Sequence, residues 1–187
     1  ILREAAEARG LIPRFTIIGM RDHGRAYPGL ADVALVEIDS SLVKPGNGYA
    51  RLLRDMDVIF DIGAGDSFAD IYGAKRFFYL WMTKWMAFRA KVPLVFSPQT
   101  IGPFTGKLYR MLARAVMRPA RAVITRDTRS TEAVHDLAPG LAVTEAVDVA
   151  FVLPFDRPAR SDDGKIQVGI TCGEDATVRV LAADTLE

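Results

Sequence analysis

The sequence predicts an α/β fold: a Rossmann-like parallel sheet with helices on both faces. Three observations carry this. Short apolar runs alternate along the chain with longer segments of helical periodicity. The apolar runs are continuous rather than alternating with polar residues, as in strands buried on both faces. Polar turns bearing glycine or proline follow several of these runs, and in open parallel sheets such turns lie where ligands bind.

In chain order, residues 1–9 read as a helix closed by Gly10. Residues 15–19 and 34–38 are short buried strands, and 49–56 is a helix. The strand 57–61 runs straight into the stretch DIGAGDSFAD at 61–70. A helix over 74–90 leads to a strand at 92–97. The helix 107–117 is stopped by Pro119 and followed by a strand at 121–125. Residues 128–137 form the next helix, with Thr128, Ser130 or Thr131 as its N-cap. One or two strands fall within 143–153, and a last one at 165–170. The intervening PFDRPARSDDG is polar and proline-rich and predicts a linker. The expected organisation is a Rossmann-like N-terminal domain over 1–153, a linker over 154–164 and the stub of a second α/β domain over 165–187. That stub is too short to bury a core of its own.

Composition narrows the function classes. The chain has 187 residues, half hydrophobic and a quarter charged, as in soluble globular proteins. A net charge of +1 excludes a global polyelectrolyte. One cysteine, Cys172, excludes a disulfide framework and fits a reducing, cytoplasmic setting. His23, His135 and Cys172 have no metal-ligand spacing, so a structural zinc site is not expected. The longest apolar stretch, 77–82, is far short of the roughly 20 residues of a membrane span.

Charge placement says more than its total. From Ile71 to Arg126 there is no Asp or Glu, against eleven Lys and Arg, a one-signed field that attracts anions. The helix at 74–90 carries Phe77, Phe78, Trp81, Met82, Trp85 and Phe88 at three- and four-residue steps. The default reading packs it on the sheet. The sharper one adds the flanking Lys75, Arg76, Lys84 and Arg89 and lays it on an anionic membrane surface. A nucleic-acid module is disfavoured, because no RNP or helix-turn-helix signature accompanies the basic stretch.

Three loops at the carboxyl ends of strands are candidate ligand contacts. In the first, Gly63, Gly65, Asp66 and Ser67 form a turn whose backbone N–H groups can face an anion. In the second, Gln99 and Thr100 offer neutral hydrogen bonds suited to hydroxyls, and Gly102 with two prolines fixes the shape. In the third, Arg126 stands at a strand end with Asp127 and Ser130 behind it; its fork can grip a carboxylate or phosphate. Gly65-Asp66-Ser67 also resembles the nucleophile block of the SGNH esterases. No Gly-x-Asn-Asp follows it, however, and His135 has no Asp three residues before it, so the base is missing.

Taken in order, the loops resemble the polysaccharide pyruvyl transferase family. DVIFDIGAGDSFAD, SPQTIGPF, ITRDTRST and VDVAFVLP match its successive motifs over about residues 50–155. The resemblance implies one half of a GT-B-like two-domain fold. It implies transfer of a pyruvyl group from phosphoenolpyruvate to a sugar of a bacterial surface or exopolysaccharide, with a lipid-linked saccharide among the candidate acceptors. On that scheme no metal and no cofactor is implied, and Arg126 takes the phosphoenolpyruvate anion. Asp66, Ser67, Gln99 and Thr100 face the sugar, with Asp66 a candidate base where relatives carry glycine. The family's opening strand and second half are not in this sequence, so the chain by itself is expected to be inactive. A GT-B glycosyltransferase half using a nucleotide sugar and a non-catalytic remnant are the alternatives.

Overall fold

A computed structural model describes residues 2–20, 33–39, 48–63, 67–148 and 151. The chain divides into two units, Ile1–Val152 and Leu153–Glu187, and every described residue lies in the first. The expected linker, the strand at 165–170, His23 and Cys172 fall outside the described residues.

Strands β1 (Phe15–Met20) and β2 (Val33–Ile38) pair in parallel as a two-stranded ladder. Strands β3 (Ile59–Asp61), β4 (Leu94–Gln99), β5 (Ala122–Thr125) and β6 (Thr144–Glu145) form a second parallel sheet in sequential order. Helices α1 (Leu2–Glu7), α2 (Tyr49–Arg54), α3 (Ala74–Arg89), α4 (Lys107–Met117) and α5 (Thr128–Leu137) flank them. The fold is therefore the α/β, Rossmann-like arrangement that the sequence predicts. The described strands hydrogen-bond in two ladders rather than one sheet. What joins the ladders is packing: Tyr49 and Leu53 of α2 are buried among Ile18, Ile38, Ile59 and the α3 residues Tyr79, Met82 and Met86.

Sequential strand order, with the crossover hand general to parallel βαβ units, brings α3, α4 and α5 onto the same face. There α3 packs on α4 and α4 on α5. No helix among the described residues is long and apolar enough to cross a membrane.

The core centres on Phe68. Its ring stacks on Phe77 at 5.6 Å and meets Phe104 edge-on at 5.4 Å, with Phe96 tilted beside it at 6.1 Å. Such offset and edge arrangements suit the ring quadrupoles. Phe68 thus anchors the turn that follows β3 to the rest of the sheet.

Three expectations change. The strand expected to end at Ser97 runs on to Gln99, with a register shift between Phe96 and Gln99. Pro98 lies at that break, as a residue without an N–H must, and pairing resumes at Gln99↔Thr125. The N-cap of α5 is Asp127 rather than Thr128, Ser130 or Thr131. Asp127 has extended backbone, and its carboxylate accepts from Ser130 N at 2.8 Å, satisfying a first-turn donor. Lastly, Lys84 does not belong to the outer face of α3. It falls in phase with Phe77, Leu80 and Ala87 and is buried with them.

Candidate functional site

Because all four strands of the larger sheet are parallel, Asp61, Gln99 and Thr125 end on the same edge. The loops leaving them are bound to one another. Phe68 N donates to Thr100 O at 2.9 Å and Gly102 N to Phe68 O at 2.8 Å. Ile101 N donates to Ser130 Oγ at 3.1 Å, and Arg126 N to Gln99 O at 3.3 Å. The three loops that the sequence singles out therefore form one hydrogen-bonded rim.

At its β3 end is a charged pair under aromatic rings. Lys84 is 1% exposed, and its Nζ lies 3.0 Å from Asp61 Oδ2 and 3.2 Å from Leu80 O. The ammonium also lies 4.5 Å from the Phe68 ring centroid and 5.7 Å from that of Phe96. Gln99 Nε2 donates to Asp61 O at 2.9 Å and to Asp61 Oδ2 at 3.1 Å. One carboxylate oxygen is thus held by a cation and an amide together.

Two buried oxygens on the second loop have no hydrogen-bond partner among the described residues: Gln99 Oε1, whose amide binds Asp61, and Thr100 Oγ1. Unpartnered buried acceptors are uncommon, because each has lost its water without replacement. Gly63 crosses directly over Gln99 with φ +65°, and a side chain there would collide with Gln99 Oε1. Gly63 is thus required twice, for its backbone conformation and for the close approach.

A model of the polysaccharide pyruvyl transferase family matches residues 6–183, most of the chain. This chain belongs to that family. No solved structure matches it.

In this pyruvyl transferase family member, the predicted site residues divide by what they touch. Gly63 lies against Gln99 Oε1, one of the two unpartnered oxygens, and Thr100 carries the other. Ser67 is buried at the base of the first loop. Gly65 and Asp66 lie outside the described residues. Gly102, Asp127 and Ser130, expected at the substrate, are engaged inside the rim: the Gly102 N–H by Phe68, Asp127 as a helix cap and Ser130 Oγ by Ile101 N. Arg126 is 39% exposed, its Nη1 bound to Asp148 Oδ2 at 3.0 Å and its Nε 3.7 Å from Asp127 Oδ2. An anion binding there meets a guanidinium already flanked by two carboxylates. His135 is exposed on α5, eight residues past its cap and therefore about 12 Å along the helix from the rim. It is no partner for Ser67.

Two rim residues were not anticipated, Asp61 and Asp70. Asp61 ends an apolar strand, and Lys84 stands on an apolar helical stripe. Each position is a signal on its own, since ionisable groups are rarely buried unless paired. Asp70 clamps the first loop to the second: Oδ2 accepts from Thr105 N at 2.7 Å, Thr105 Oγ1 at 3.0 Å and Gly106 N at 2.9 Å. Burial alone would raise its pKa. The Gly106 and Thr105 donors outweigh that and hold it below the ordinary carboxylate value.

Proposed function

We propose that the rim is the acceptor side of a pyruvyl-transfer site, with phosphoenolpyruvate as donor and a diol of a bacterial surface or exopolysaccharide sugar as acceptor. The observation that carries this is two buried, unpartnered oxygens on consecutive residues of the second loop, Gln99 Oε1 and Thr100 Oγ1, with Gln99 bound to the Asp61 carboxylate that Lys84 holds. Sugar hydroxyls are donors as well as acceptors. They offer Gln99 Oε1 the proton it lacks and Thr100 Oγ1 a partner of either kind. Family membership supports the reaction class.

The chemistry balances without a redox partner. The methylene carbon of phosphoenolpyruvate takes a proton and becomes the methyl group. One sugar hydroxyl adds to the neighbouring carbon and gives up its proton. The carbon–oxygen bond to phosphate breaks, and the second hydroxyl adds at the same carbon with loss of its proton. The products are a cyclic ketal and phosphate. Donors fixed in place before reaction favour the charge that develops. In this reading Gln99 and Thr100 orient the diol, Arg126 receives the donor anion and Asp66 is the base. We assign the reaction to the cytoplasm at the inner face of the membrane, where a lipid-linked acceptor would lie.

Calorimetric titration of the full chain separates the alternatives. Binding of phosphoenolpyruvate, weakened by Gln99→Leu only when a saccharide is also present, is the expected result. Binding of a nucleoside diphosphate and not of phosphoenolpyruvate would assign the rim to a nucleotide-sugar glycosyltransferase instead.

A further inference from the structure

The outward face of α3 and α4 is an apolar and basic surface that the rim does not use. With Phe77, Leu80, Lys84 and Ala87 turned inward, α3 presents Phe78, Trp85 and Phe88 to solvent, with Trp81 half-buried between them. Trp81 and Trp85 stack at 5.9 Å, and Arg89 lies 5.5 Å over Trp85. The neighbouring α4 is tied to this surface by Trp81 Nε1 donating to Leu112 O at 2.9 Å. It adds Leu108 and Met111, the latter 61% exposed. Soluble surfaces seldom gather so much apolar area without a partner.

The surrounding charge says which partner. Lys75, Arg89, Lys107, Arg114 and Arg118 flank the apolar residues, and none has a carboxylate partner among the described residues. At the margin Arg110 is paired with Asp136 at 2.9 Å. Neither helix contains an acidic residue. A second copy docking by the same face would set these cations against themselves, as two-fold interfaces do. An anionic bilayer instead offers headgroup charge to the Lys and Arg and an apolar boundary to the rings and to Met111.

We propose that the α3–α4 face is a docking surface for an anionic phospholipid bilayer, the aromatic and aliphatic side chains entering the headgroup boundary and the cations holding the headgroups. The surface lies on the helix layer, so it does not depend on which reaction the rim performs.

Both tryptophans of the chain lie on this face, so the protein carries its own probe. The full chain is titrated with phosphatidylcholine vesicles with and without phosphatidylglycerol, some with brominated acyl chains. The expected result is a blue shift and bromine quenching of tryptophan with the anionic vesicles, at least about tenfold tighter than with neutral ones and lost at high salt. Phe88→Ser with Met111→Ser, and separately Lys107→Gln with Arg114→Gln and Arg118→Gln, should each weaken binding by about tenfold or more. Circular dichroism checks that the variants fold; if one does not, the wild-type quenching decides. Equal response to both vesicle types, no response to either, or unaltered binding by the folded variants overturns the proposal. So does a lipid-free dimer with the tryptophans already blue-shifted, or tighter binding to a single-stranded oligonucleotide than to vesicles.

Discussion

The Lys84 ammonium and the Asp61 carboxylate meet at 3.0 Å beneath the Phe68 ring, joining the middle of α3 to the end of β3. The pair is asymmetric. Lys84 is 1% exposed, whereas the Asp61 side chain is 16% exposed and keeps Gln99 as a second partner. Removing the carboxylate strands a buried cation; removing the cation leaves a partly exposed anion that Gln99 still hydrogen-bonds.

Asp61→Ala should therefore cost roughly 3–5 kcal/mol of stability. Lys84→Met, which keeps an unbranched chain against Phe68 and Phe96, should cost no more than about 2 kcal/mol. Urea unfolding of both variants compares the two costs. Equal costs would mean that the burial of Lys84 is not what makes the pair matter.

Gly63→Ala should be destabilising by roughly 1–3 kcal/mol, through positive φ and through collision with Gln99 Oε1. The two causes separate in a double mutant. Gln99→Ala removes the obstacle but not the strain, so Gly63→Ala should cost less in that background. Strict additivity would show that the two residues do not touch.

The Asp70 clamp predicts an acid limb. Its folded pKa is depressed by the Gly106 and Thr105 donors. The stabilisation is therefore complete above the unfolded carboxylate value of about 4 and is lost as pH falls through the folded one. Asp70→Asn should lose about 1–2 kcal/mol at neutral pH. It should also show a flatter decline in melting temperature below about pH 4. A parallel decline in both proteins would remove Asp70 from the account.

Much of this architecture is readable locally. The bounds of α4 and α5 follow from periodicity and Pro119, and the three rim loops follow from polar turns after apolar strands. Tertiary pairing decided the rest. Pro98 looks like the start of a loop, yet β4 re-pairs beyond it because Gln99 finds Thr125 across the sheet. Charge alone grouped Lys84 with Lys75, Arg76 and Arg89, while its helical phase with Leu80 placed it inside. The capping role of Asp127 depends on where α5 begins, because its donor, Ser130 N, becomes available only at a helix start. The separation of β1–β2 from the larger sheet has no local signal, because pairing between distant strands leaves no mark on either.

Tyr79 carries a buried hydroxyl with no hydrogen-bond partner among the described residues, so Tyr79→Phe should be neutral or stabilising near pH 7. Burial first, and then the Asp39 charge, raises its pKa from 10.0 to about 12. A raised folded value means stability is full below pH 10 and falls as the pH rises toward 12, because the unfolded tyrosine ionises first. Tyr79→Phe should lose less stability over that window. Tyr49, also raised to about 12 by burial and by Tyr79 and Asp61, leaves part of the decline in place. Denaturant midpoints at pH 9 and above, taken on both proteins, read the difference.

The donor assignment can be tested at Arg126 without removing it. Its guanidinium faces Asp148 at 3.0 Å and Asp127 at 3.7 Å, so an incoming anion competes with two carboxylates for one cation. Asp127 also caps α5 and is a poor target. Asp148→Asn removes one competitor and keeps its shape. Phosphoenolpyruvate should then bind about three- to tenfold tighter, the order expected for one partly screened charge. Arg126→Gln should abolish binding in either background. If Asp148→Asn leaves the affinity unchanged while the wild type binds, the anion sits elsewhere on the rim. If the wild type itself does not bind phosphoenolpyruvate, Arg126 and this rim do not by themselves form the donor site.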